Sequence, residues 1–181
     1  MTTPSIPAGV WELDASHSNV TFSVRHMMVA KVRGRFTDFT ADIVTKDDPL
    51  DSTVNAVVQM ASIDTNDEGR DNHLRTNDFF EIETYPEIRF ASTAIRQSDE
   101  TTFAVTGDLT IKDVTKPVTI EFEQTGSAID PFGNTRVGFE GEITVNRKDW
   151  GLTWNAALET GGVLVSDKIT LEFEVSAIKT A

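Results

Sequence analysis

The sequence predicts an all-β protein, eight antiparallel strands closed into an up-and-down barrel, with a short helical insertion between strands three and four. Three observations predict it. From Asn19 to Ala177 apolar and polar residues alternate with a period of two, the signature of strands with one buried and one wet face. Most of these runs are joined by short turns, with no internal repeat and no low-complexity linker. One stretch, Thr65–Phe90, breaks the alternation with a dense mixture of charge, amide and aromatic side chains. A two-sheet sandwich fits the same pattern less well, and closure disposes of the exposed strand edges.

Each element follows from the parity of its apolar residues. Val10–Leu13 is a short lead-in strand, with Trp11 as a plug or rim residue. Val20, Phe22, Val24, His26 and Met28 share one face of the next strand. After a tight connection at Val29–Lys31, the inner set runs Val32, Gly34, Phe36 and then flips to Phe39, Ala41, Ile43. Such a flip predicts a β-bulge near Thr37–Asp38. Lys46–Pro49 is a turn, and Val54, Ala56, Val58 and Met60 face inward on the third strand. The insertion carries Thr65-x-x-Glu68 and Asp78-x-x-Glu81, both at capping-box spacing, which predicts two short helical turns. Ile88–Ala94, Phe103–Ile111, Val118–Phe122, Val137–Val145 and Ile169–Ala177 complete the wall, and Arg147–Gly162 is a second long loop. The whole chain, 1–181, reads as one domain with 1–9 as a flexible N-terminus.

Bulk composition excludes several function classes. Sixteen Lys and Arg stand against 29 Asp and Glu, a formal charge of −13, so the basic footprint of nucleic-acid or anionic-membrane binding is missing. The absence of cysteine removes thiolate chemistry and disulfides. No run approaches the roughly 20 apolar residues of a membrane-spanning helix. Met1–Pro7 has neither a basic nor an apolar leader region, so the expectation is a soluble, acidic, cytoplasmic protein.

The inward faces are large and apolar. Phe22, Val24, Phe36, Phe39 and Phe90 occupy the first half, and Phe103, Phe139 and Phe173 the second. An eight-stranded barrel either fills with such side chains or encloses one small ligand. Gly34, Gly107 and Gly141 at inward positions favour the second case, because they mark a kink or leave room at the wall. The expected ligand is therefore long and greasy, with Phe79 and Phe80 of the insertion pointing into the same space. His26 is either a hydrogen-bonded core histidine or a contact to a ligand head group. Arg70, His73 and Arg75 either hold the insertion shut, through Arg70–Asp71 and Arg75–Asp78 ion pairs, or meet an anionic head group at the mouth. Trp150 and Trp154 form a plug over one barrel end or a rim along which a ligand tail slides. The three histidines lack i, i+4 or H-x-H spacing, so no metal site is expected. No nucleophile elbow, phosphate loop or metalloprotease motif occurs, so neither catalytic residues nor a cofactor are expected. Two competing readings are an enzyme using His26 or the Arg70/His73 cluster as acid–base group, and a packed barrel serving as a structural or interaction module.

In order along the chain stand Trp11-x-Leu13-Asp14-x-x-His17-Ser18-x-Val20-x-Phe22-x-Val24-x-His26, Gly34-x-Phe36, Ser62-Ile63-Asp64-Thr65-Asn66 and Arg70-Asp71-x-His73-Leu74. They are followed by Asp78-Phe79-Phe80, Tyr85-Pro86-x-Ile88-x-Phe90, Gly107-x-Leu109-Thr110, Val114-Thr115-x-Pro117-Val118 and Arg147-x-Asp149-Trp150-Gly151. With these motifs the chain resembles the YceI-like family of lipocalin-like barrels over nearly its whole length. The resemblance implies an extended eight-stranded antiparallel barrel around an apolar tunnel. It also implies a polyisoprenoid or other lipid-like amphiphile as ligand, held for carriage, storage or sequestration and without cofactor chemistry. A homodimer is the partner state it suggests. Many relatives carry an export signal; with none read in Met1–Pro7, the expectation for this chain is the cytoplasm.

Overall fold

The alternating segments fold as strands because each can bury one face and pair both edges only within a closed sheet. The structure, a computed structural model, describes residues 6–27, 29–155 and 165–181. Met28, expected on an inner face, and residues 156–162 of the second long loop lie outside that set. The strands are β1 Gly9–Leu13, β2 Asn19–His26, β3 Ala30–Phe36, β4 Phe39–Thr45, β5 Thr53–Gln59 and β6 Ile63–Asp64. They continue with β7 Glu87–Gln97, β8 Thr102–Ile111, β9 Val114–Ile129, β10 Thr135–Asn146 and β11 Val165–Lys179. A single α-helix among the described residues, α1, spans Glu68–Leu74.

The ring runs β1–β4–β5–β7–β8–β9–β10–β11 and returns to β1, every pair antiparallel. β1 closes it, with Trp11 opposite Ile43 of β4 and Lys179 of β11. β2, β3 and β6 prolong β1, β4 and β5 in the wall, so the closed barrel has the eight strands that the periodicity predicts. These three composite strands all break at one level, at residues 14–18, 37–38 and 60–62.

Two expectations about the wall change. The parity flip after Phe36 is a full strand break rather than a bulge. Thr37 leaves the ladder and hydrogen-bonds Ser62 through its backbone N–H, 3.3 Å to the carbonyl oxygen and 3.1 Å to Oγ. The chain then exchanges partners, β3 pairing with β2 and β6 but β4 with β1 and β5. A register shift lies instead in β7, between Ser92 and Ala94. It turns the exposed Ala94 outward and buries Ile95 on the inner side, against the expected Ala94.

The insertion sits between the third and fourth wall strands and plugs one end. Its helix is capped by Asp67, whose carboxylate accepts the Arg70 N–H at 3.0 Å. The Thr65-x-x-Glu68 box does not form, because Asp71 takes Thr65 through its backbone N–H at 2.8 Å and its hydroxyl at 2.5 Å. The second expected helical turn is a run of irregular turns ending at Glu81, whose φ of 49° leaves the helical region. Leu74, Phe80 and Ile82 of the insertion pack against buried Phe36, Met60 and Ile63. Phe79 joins a second cluster with Leu109, Val118, Ile120 and Trp150.

Candidate functional site

The barrel axis is hollow. A cavity of about 610 Å³ is bounded by the inner faces of the wall strands and by the insertion, within the range of small-ligand pockets. Phe22, Val24, Phe36, Phe39 and Phe90 line it, as do Phe103, Phe139 and Phe173. Phe79, Phe80 and Trp150 line its plugged end. Phe22, Phe90, Phe122, Phe139 and Phe173 point inward and yet stay only half-buried, because their inner faces look onto open space.

The inward glycines explain how the space stays open. A Cβ on Gly34 would stand 2.2 Å from the Phe22 ring, one on Gly107 2.5 Å from Phe90, and one on Gly141 2.6 Å from Phe122. Each phenyl ring therefore lies flat over a wall position that has no side chain, instead of projecting across the lumen. The rings then touch at spacings of loose aromatic pairs, 5.5 Å for Phe22–Phe36, 6.1 Å for Phe103–Phe139 and 6.0 Å for Phe122–Phe173.

The two ends differ. At the end away from the insertion, exposed Lys46, Asp47, Gln97 and Glu100 border the cavity, so it reaches the surface there through a rim that is acidic on balance. Trp11 is a wall residue of this half, 2 % exposed, its Nε1–H donating to Thr45 Oγ1 at 2.8 Å. Just outside this end, Arg136 bridges Asp14 and Asp130 at 2.7 Å each, and its guanidinium holds both carboxyls well below the usual aspartate range.

At the other end the expected head-group residues stand away from the lumen. Arg70 donates from Nε to Thr65 Oγ1 at 2.8 Å and from Nη2 to the Thr65 carbonyl at 2.7 Å. Arg75 donates to Asn72 Oδ1 and to the carbonyls of Ala61 and Ile63. His73 meets Asp78 at 2.8 Å and packs edge-on against Phe79 and Trp154. Neither the Arg70–Asp71 nor the Arg75–Asp78 ion pair forms. Orphan backbone carbonyls around a two-residue β6 are what the two arginines satisfy. Trp154 packs behind Phe79 against the inner cluster instead of facing the cavity. His26 ends β2 opposite Ala30, in the hairpin beyond the cavity wall. Among the described residues no three potential metal ligands converge.

Of the charged residues bordering the cavity, all outside the set expected from sequence, one is buried. Arg147 follows β10, is 4 % exposed, and stands among the residues bordering the cavity with Trp150, Leu152 and Val165. Its Nη1 donates to the Leu152 carbonyl at 2.5 Å and its Nε to the Ser166 carbonyl at 3.0 Å. Among the described residues the nearest carboxylate oxygen, on Asp167, lies 3.9 Å away, and that side chain is 43 % exposed. Burial pushes the guanidinium pKa down, against a smaller opposing pull from Asp167. The signal was in the Arg147-x-Asp149-Trp150-Gly151 motif, but only the tertiary fold turns that arginine toward the barrel axis.

A hollow apolar barrel with these motifs finds its relatives directly. The sequence profile of the YceI-like domain matches residues 11–177. The chain belongs to the YceI-like family. The UPF0312 protein SAS2572 of Staphylococcus aureus (strain MSSA476) is 38% identical to this YceI-like chain over 168 residues, 91% of this chain and 93% of the relative. Among solved structures, Burkholderia cenocepacia BcnA superposes with a TM-score of 0.78 at 24% identity, covering 91% of this chain and 98% of BcnA. The YCEI protein of Campylobacter jejuni gives 0.75 at 27% identity over 100% of both chains. A polyisoprenoid-binding domain of Saccharophagus degradans, implicated in plant cell wall breakdown, gives 0.74 at 16% identity, covering 94% and 98%. These likenesses match the closed antiparallel barrel of this YceI-like domain.

Proposed function

We propose that this YceI-like domain binds one long hydrophobic amphiphile, of the polyisoprenoid or a similar lipid-like class, along its barrel axis. The role is carriage, storage or sequestration without turnover. The single observation that carries the reading is the open lumen, in which inward phenylalanines are left half-exposed by flattening onto glycines. Each Å² of apolar surface that a ligand buries there contributes about 25 cal/mol, and half-exposed rings bury further area of their own. The contacts fall to Phe22, Phe36, Phe39 and Phe90 on one side and to Phe103, Phe139 and Phe173 on the other. Phe79, Phe80 and Trp150 meet the end of the ligand that reaches the plug. The polyisoprenoid-binding relative supports the ligand class. Native mass spectrometry of the purified protein, followed by organic extraction, tests the reading. A stoichiometric lipid-like adduct is expected. A barrel that arrives empty, and whose tryptophan emission is indifferent to added geranylgeraniol, would refute it.

A further inference from the structure

The lumen has a direction, because its only deeply buried charge among the described residues stands at the plugged end. Arg147 lines the cavity at 4 % exposure. Two of its nitrogens are occupied by carbonyls at short range, but among the described residues Nη2 has only longer contacts, 3.4 Å to the Val165 carbonyl and 3.9 Å to Asp167. A buried cation is costly unless opposite charge reaches it, and carbonyl dipoles with one distant, half-solvated carboxylate supply that incompletely. The depressed pKa of the guanidinium is the same deficit seen from the proton's side. The open rim has the opposite character, with Asp47 and Glu100 beside a single Lys46, on a chain of formal charge −13. An anionic group is therefore repelled where the lumen opens and compensated where it ends.

Resting on the lipid-binding reading above, we propose that Arg147 receives the anionic head of the bound amphiphile, a carboxylate or a phosphate. The ligand then lies head-inward, with its tail running back along the phenylalanine wall toward the rim. The guanidinium fork suits either oxyanion, and such a charge-assisted pair in a water-poor lumen is stronger than a neutral hydrogen bond. The apolar wall selects the chain and Arg147 selects the head.

Palmitate and hexadecanol share a chain and differ in the head, so their affinities, titrated near pH 8 by tryptophan emission, separate the two claims. The wild type is expected to bind palmitate roughly ten- to a hundredfold more tightly than hexadecanol, the worth of one charge-assisted hydrogen bond. Arg147→Met is expected to remove that ratio, and Arg147→Lys to keep part of it. Direction is read independently in the wild type, which needs no variant to fold. Two of the three tryptophans, Trp150 and Trp154, pack at the Arg147 end. A fatty acid brominated beside its carboxylate should therefore quench more emission than one brominated at its far end. Equal palmitate and hexadecanol affinities in the wild type, a ratio that survives Arg147→Met, or stronger quenching by the tail-brominated acid would each overturn the inference. Failure of palmitate, hexadecanol and geranylgeraniol alike to bind would instead overturn the lipid-binding reading beneath it. A titration with hexadecyl phosphate, which keeps the sixteen-carbon chain, decides between the two oxyanions: tighter binding than palmitate assigns phosphate, weaker binding assigns carboxylate.

Discussion

Replacing Gly34 by alanine tests the link between the flattened rings and the open lumen. The added Cβ would meet Phe22 Cζ at 2.2 Å and its two Cε atoms at 2.7 and 2.9 Å, and all three nearest atoms belong to that one ring. Ordinary carbon contacts lie near 3.5–4.0 Å, so the ring must retreat by about 1.5 Å. The wall is behind it, so the retreat is into the lumen. Overpacking of this kind costs about 1–3 kcal/mol, offset by about 0.5–1 kcal/mol from replacing glycine in a strand. The net loss, about 0.5–2 kcal/mol, corresponds to a Tm lower by roughly 1–8 °C for a domain of this size. The displaced ring takes the room of about two methylenes, about 1.6 kcal/mol of ligand burial or a fifteenfold weaker affinity. Calorimetry gives the first number, and a geranylgeraniol titration followed by tryptophan emission gives the second. Gly126→Ala is the control, since a Cβ there meets nothing within 4 Å. The reasoning is refuted if Gly34→Ala keeps full affinity, or if Gly126→Ala loses as much.

Three further outcomes follow from the same geometry. Gly107→Ala should destabilise the fold more than Gly34→Ala in the same calorimetric comparison, because its Cβ also meets the Ala91 carbonyl oxygen at 2.6 Å and backbone cannot swing aside. Asp71→Ala should cost about 2–3 kcal/mol, since it strips a buried carboxylate from the Thr65 N–H and hydroxyl; hydrogen exchange should rise first across the insertion, and a uniform rise would contradict this. Asp14 and Asp130 titrate below their unfolded range, so their pairing with Arg136 stabilises fully above about pH 4 and is lost as pH falls through the depressed folded values. Arg136→Gln should therefore flatten the acid limb of the stability–pH curve, and an unchanged limb would remove that pairing from the account.

Period-two patterning made the wall strands and their inner faces legible, because a residue's parity fixes its side of a sheet wherever the chain runs straight. It failed where the backbone changes parity without a composition signal. Neither Thr37–Asp38 nor Ser92–Ala94 carries a glycine or proline; the first follows from the bonds of Thr37 to Ser62 and the second from the pairing of β7 with β8. In the site, aromatic positions were readable for the same reason as the strands. The cations were not. Arg70, Arg75 and Arg147 look alike in sequence, and what separates them is which carbonyls each must satisfy after folding. A helix cap was predicted at Thr65 for a similar reason: spacing identified a competent hydroxyl, but Asp71 reaches it first.

The closure of the ring by β1 and β11 has a consequence in time. Three positions of β1, Trp11 to Leu13 against Lys179 to Ala177, and seven of its prolongation β2, Asn19 to His26 against Glu174 to Val165, join the first wall strand to the last. Contacts between chain extremities are the slowest to find, which places this topology among folders of the millisecond-to-second range. Every other wall pairing can form before that seam does. Until it zips, the lumen is a trough and not a tunnel, and its phenylalanine floor faces water along one whole side.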